Sequence, residues 1–205
     1  MRMLLLIVFV VSCKVAPDQD TIVVIQPLGR YDAALTDTLR RAIRLYYGVQ
    51  VLIGVCQSIP ESFFVQLKTP RYRADSIIHY LRTTKPGHVD YVLGFTNQDI
   101  STTKKDKSGR IKQPVNRYTD WGVMGLAYSP GVACVVSTYR LKSNEQKLTD
   151  RTIKVALHEL GHSFGLPHCE NKKCVMTDAV ESVRTVDQAD PALCSRCKHK
   201  IGLRE

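Results

Sequence analysis

One short stretch gathers the residues that can do chemistry: His158-Glu159-Leu160-Gly161-His162-Ser163-Phe164-Gly165-Leu166-Pro167-His168. On a helix, the spacing of His158 and His162 stacks two imidazoles on one face, one turn apart. Imidazoles held this way can bind one zinc ion. Glu159 projects beside that position, where a carboxylate can take a proton from an activated water. Gly165 can adopt a left-handed backbone and stop the helix, and Pro167 discourages a restart. His168 can then swing back as a third ligand. Three protein ligands leave a fourth position for water, the mark of a catalytic rather than a structural zinc. The first five residues alone are a moderate signal; the added glycine and third histidine make it a specific one.

These side chains need a helix to hold them. Ile153, Ala156, Leu157, Leu160 and Phe164 recur at helical spacing and form a core-facing stripe. His158 and His162 sit one position off it, at the edge of the buried face, as residues lining a cleft must. Thr149 is the expected N-cap. Gly161 costs a helix interior about 1 kcal/mol against alanine, and its presence fits close approach by another element. Downstream, Cys169, Cys174, Cys194 and Cys197 form two close pairs that suit a tetrahedral zinc, with disulfides or free thiols as alternatives.

The histidine string resembles that of the metzincin metallopeptidases. Cys169 directly after His168, then Cys174, Met176 and Cys194-Ser195-Arg196-Cys197, resemble the archaemetzincin family in particular. The resemblance is dense over residues 158–197 and weaker upstream. It implies a zincin-like α/β (α+β) fold: a twisted mixed sheet, two long helices, the active-site helix and a small irregular C-terminal subdomain bearing zinc. It implies a zinc-dependent peptidase acting on peptides or proteins, with two zinc ions per chain. One is catalytic, on His158, His162 and His168 with Glu159 as base; one is structural, on Cys169, Cys174, Cys194 and Cys197. Met176 matches the methionine of the Met-turn, an apolar base under the imidazoles. Some metzincins carry a tyrosine ligand two residues further on; here that residue is Asp178, and no such ligand is expected. By the same resemblance, Met124, Gly125, Leu126 and Ala127 form the sheet edge above the metal, to which a peptide adds through backbone hydrogen bonds. An ordinary buried strand is the other reading of those four.

The chain has 205 residues, 44% hydrophobic and 23% charged, enough for one well-cored soluble domain. Its net charge of +10 comes from scattered lysines and arginines. That is the pattern of a basic solvated surface, and no nucleic-acid partner is expected. Strands expected at residues 21–26, 49–56 and 89–95 alternate with two helices. The first carries Leu35, Leu39, Ala42, Ile43 and Tyr46 and stops at Gly48. The second spans residues 71–82, with Ala74, Ile77, Ile78 and Leu81 on one face. This order implies βαβ units and a mostly parallel sheet. Residues 97–120 read as a long charged loop, either mobile or a flap over the cleft. Residues 122–128 and 132–137 read as further strands. Cys56 and Cys134 lie in apolar runs and are expected to be buried, with a disulfide between them left open.

At the start, one arginine precedes a short apolar run ending Val10-Val11-Ser12-Cys13. This order fits a signal peptide over residues 1–12 with a lipobox-like Cys13 as the lipidation site. Residues 14–20 then form a tether and residues 21–205 a single domain. The expectation is a membrane-anchored, extracytoplasmic bacterial lipoprotein, with a cytoplasmic protein as the alternative; a monomer is favoured in either case. Thiolate zinc belongs in reducing compartments, so export and a four-cysteine zinc pull against each other. A lipid-anchored zinc-binding or adhesion protein with little turnover is the rival function; the intact Glu159 argues against it.

Overall fold

A computed structural model describes residues 17–178 and 182–203. Cys13 and the expected signal peptide lie outside the described residues. The main sheet has five strands: β1 (Ile22–Pro27), β2 (Gln50–Ile53), β5 (Tyr91–Thr96), β8 (Gly125–Ala127) and β9 (Ala133–Ser137). Their order is β2-β1-β5-β9-β8. The first four run parallel, and β8 pairs antiparallel to β9 at the edge. The parallel strands β1, β5 and β9 are largely buried on both faces, so they read as unbroken apolar runs, while the edge strand β2 buries only Val51. Alternate side chains then serve different cores. Val23, Ile25, Leu93, Phe95 and Val136 pack with α1 (Ala33–Tyr47) and α4 (Glu145–Ser163); Val92, Ala133 and Val135 pack with α2 (Ala74–Thr84) on the other side.

The helix ends follow their sequence signals. Asp32 caps α1 by accepting the Leu35 amide at 2.9 Å, and Gly48 closes it in the left-handed conformation. In the last turn Tyr47 is fully buried, 1% exposed, and the expected Tyr46 is half-buried against the same core. The α4 helix starts earlier than expected: Asn144, not Thr149, is its cap, accepting from the Lys147 amide at 3.0 Å. Asparagine is the stronger capping residue, which adds more than a turn ahead of Thr149.

A second, smaller sheet goes beyond the sequence expectation. It orders β3 (Phe64–Val65), β4 (Arg71–Arg73), β6 (Ile100–Thr102) and β7 (Trp121–Val123) as β3-β4-β6-β7. Its strands are two or three residues long, too short for a periodic pattern. Residues 71–73 are therefore strand, and α2 begins only at Ala74. The 97–120 segment contains β6 and the short helix α3 (Val115–Tyr118), so it is not one loop. The 122–128 run is divided between the two sheets, with Met124 at the join. Buried charges hold this sheet. Asp99 accepts from Arg71 at 2.9 Å and from Arg140 at 2.8 Å, and Arg71 also reaches Asp120 at 3.1 Å. Two short helices, α5 (Val183–Gln188) and α6 (Ser195–Lys200), complete the described C-terminal part.

Candidate active site

The last two turns of α4 are fixed from below. Leu157 and Leu160 enter the core, and the Tyr47 hydroxyl donates to the Leu157 carbonyl at 2.6 Å. Phe164 packs edge-on against the Tyr47 and Tyr91 rings, at 4.9 and 4.8 Å. A side chain at Gly161 would overlap Met176 Sδ and stand 3.0 Å from the Tyr47 oxygen. The helix gives way where the sequence requires: the Leu166 amide reaches the Gly161 carbonyl and the Gly165 amide the His162 carbonyl, both at 2.9 Å. Gly165 has φ 94. This is a Schellman ending, and it turns the chain so that His168 comes back over the helix.

The three histidines converge. His158 Nδ1 donates to the Val175 carbonyl at 2.8 Å, and His162 Nδ1 to the Leu166 carbonyl at 2.7 Å. A carbonyl only accepts, so each bond keeps the proton on Nδ1 and leaves Nε2 as a bare lone pair. Those two Nε2 atoms stand 3.0 Å apart. Lone pairs aimed at one another at that distance repel unless a cation lies between them. The His168 ring centroid is 5.3 Å from that of His158 and 4.8 Å from that of His162. One ligand atom from each of the three lies within 4.8 Å of the others. Imidazole nitrogens of this number and spacing fit zinc. Burial, with His162 as the next cause, pushes the His158 pKa down to about 4; burial also lowers that of His162. Both stay neutral, as ligands must. His168 is 42% exposed on its side chain, and its Nδ1 faces the Asp178 carboxylate at 3.8 Å.

Glu159 is buried beside them, and burial pushes its pKa up to about 8. Among the described residues, no donor reaches its carboxylate by a hydrogen bond. It lines a cleft of about 820 Å³ together with the three histidines and residues 124–127. Gly125, Leu126 and Ala127 are the edge strand β8; Met124 precedes it, its carbonyl held by the Ser137 amide at 2.8 Å. Residues 102–105 and Ile111 also line the cleft, so part of the charged segment does border it. Lys154, Thr177 and Val186 line it too and escape the sequence reading. Lys154 stands one helical turn before His158 and is within reach of spacing alone. Val186 is carried by a separate helix, and nothing local announces it.

Beneath the histidines lie the four cysteines. Cys169, Cys174, Cys194 and Cys197 are free thiols, with Sγ atoms within 4.8 Å of one another. The Cys169 and Cys194 sulfurs are 3.8 Å apart, outside bonding distance. Burial resists ionisation of Cys169, yet the Arg196 guanidinium, the Asn171 amide and the neighbouring thiols hold its pKa down to about 6. Four sulfurs gathered in this way fit a tetrahedral thiophilic ion. The Cys169 amide donates to the Met176 carbonyl at 2.8 Å, and Val175 holds His158, so one turn joins both clusters. Cys134 is buried as expected. Cys56 is exposed, because β2 ends at Ile53 and leaves it outside the sheet, and the two are not bonded.

A mostly parallel sheet with an antiparallel edge strand, over a helix that presents convergent histidines and a glutamate, defines a zinc metallopeptidase of the zincin type. The family model described as Peptidase family M54 matches residues 60–203, and the chain belongs to this family, the archaemetzincins. The chain is 32% identical to an archaemetzincin of Haloquadratum walsbyi over 187 residues, covering 86% of this chain and 97% of that one. A Halobacterium salinarum archaemetzincin is 29% identical over the same shares. Among solved structures, the archaemetzincin of Methanopyrus kandleri superposes with a TM-score of 0.72 at 28% identity, covering 89% of this chain and 94% of that one. That of Archaeoglobus fulgidus, crystallised with malonate, gives 0.69 at 25%, covering 88% and 99%.

Proposed function

We propose that His158, His162 and His168 hold the catalytic zinc and that Glu159 moves the proton in peptide hydrolysis. The observation that carries this is the pair of bare Nε2 atoms 3.0 Å apart, each fixed by a carbonyl behind it. Zinc bound there supplies Lewis acidity, polarising the scissile carbonyl and bringing a water's pKa towards neutrality. Glu159 takes a proton from the water on a carboxylate oxygen as the new C–O bond forms. It returns that proton to the amide nitrogen as the C–N bond breaks. The ionised carboxylate serves the first step and the carboxylic acid it becomes serves the second. The free outer edge of β8 offers backbone groups to an extended peptide, in line with residues 124–127.

The four cysteines are proposed to bind a second zinc of structural role. Their free, converging sulfurs support this reading over disulfides. Lipidation at Cys13, with membrane anchoring, remains a proposal from the sequence, tested by mass analysis of the mature N-terminus.

The test measures metal content and peptide-library cleavage for the wild type and Glu159→Gln. Two zincs per chain in both proteins, with cleavage falling at least ~10²-fold in the variant, is the expected result. Undiminished cleavage by Glu159→Gln overturns the assignment of Glu159. One zinc with normal cleavage overturns the structural site alone.

A further inference from the structure

We infer that Gly125 is a positioning residue for Glu159: its missing side chain is the slot in which the carboxylate is held. Two observations meet here. First, the Glu159 carboxylate accepts no hydrogen bond among the described residues, so packing rather than polar contact fixes where it points. Second, a Cβ built on Gly125 would lie 2.7 Å from Glu159 Cγ, 2.7 Å from Oε1 and 2.9 Å from Cδ. Beyond the glycine and its chain neighbours, these are the three nearest atoms to that point. The backbone does not require glycine. Gly125 lies in an ordinary strand, opposite Val136 of β9, and is not among the glycines with positive φ. A glycine inside a strand weakens it and marks a close approach; here the approaching group is the proposed base.

The consequence is mechanical. The edge strand that would bind the peptide backbone also forms the wall of the base's slot, so substrate and carboxylate take their positions from one element. A methyl group at residue 125 leaves the histidines untouched and forces Glu159 aside. A misplacement of about 1 Å in a reacting group is enough to cost on the order of 10²-fold in rate.

This inference rests on the proposed role of Glu159, and the experiment separates the two. Gly125→Ala is compared with the wild type and with Glu159→Gln for zinc content and for kcat and KM on one cleaved peptide. A fall in kcat of about 10–100-fold is expected, with zinc content unchanged and KM within about 3-fold. A stability cycle supplies a readout free of activity. With Glu159 in place, the methyl added by Gly125→Ala competes with it for space and lowers Tm. In Glu159→Ala, the same methyl enters emptied space, and Tm holds or rises, since alanine also restricts the unfolded chain. If Gly125→Ala keeps full kcat while Glu159→Gln is inactive, the positioning role is refuted and the base stands. If Glu159→Gln cleaves normally, the base assignment fails, and the stability cycle alone decides whether the slot exists. Equal Tm shifts in both backgrounds refute the slot.

Discussion

Gly161→Ala is a sharp test of how the ligand helix is seated. In an unpacked helix this substitution stabilises by about 1 kcal/mol. In this protein the added methyl would overlap Met176 Sδ, with Met176 Cε at 3.2 Å and the Tyr47 oxygen at 3.0 Å. Met176 is 0% exposed, so its thioether has no solvent side to retreat to. Tyr47 is tied to the Leu157 carbonyl at 2.6 Å. Overpacking of this kind costs about 1–3 kcal/mol. A strained Tyr47 hydrogen bond adds about 0.5–1.5 kcal/mol. Against the propensity gain of about 1 kcal/mol, the net is a loss of about 0.5–3.5 kcal/mol, which for a chain of this size lowers Tm by about 1–14 °C. Thermal unfolding of the metal-loaded protein measures it. Met176→Ala itself costs about 2–5 kcal/mol, but in that background Gly161→Ala should cost less than in the wild type, because the space is open. A neutral or higher Tm for Gly161→Ala would refute the claim that α4 is pressed against the Met176 turn.

Tyr47→Phe removes the hydroxyl bonded to Leu157, and a Tm fall equivalent to about 1 kcal/mol is expected in thermal melts, with zinc content unchanged. Asp99→Ala leaves the buried Arg71 without its shortest ion pair and frees Arg140; a loss of about 3–5 kcal/mol is expected in urea titrations. The hydrogen bond from Arg151, which ties α4 to α5, holds the Asp187 carboxyl below the usual carboxylate range. Its contribution is present above an ordinary aspartate pKa of about 3.9 and is lost as pH falls through the depressed value. Asp187→Asn should therefore lower Tm at neutral pH and leave it unchanged in strong acid. Brief chelation should abolish cleavage while about half the zinc stays bound, because His168 is open to solvent and three of the four cysteines are buried; metal analysis against time reads this directly.

The sequence and the fold agree best where one local rule decides the outcome. The helix stop at Gly165, the return of His168 and the gathering of the four cysteines each follow from spacing and turn chemistry within a few dozen residues. The close approach expected at Gly161 is met by Met176 and Tyr47, residues far apart in the chain, so the glycine carries the signal while its partners stay illegible. The small second sheet is hidden for a different reason. Its strands are too short to show alternation, and what holds them is the buried Arg71–Asp99 pair with the half-buried Arg140, which look in sequence like scattered surface charge. Cys56 departs from its expected burial because an apolar run does not say where its neighbour strand ends. Gly125 is the instructive case. As a letter within an apolar run it marks at most a weak strand. Only with Glu159 built against it does the missing side chain become a feature of the site. Charge networks and empty slots are properties of pairs that the fold brings together, and a linear reading recovers them only when both partners lie on the same turn.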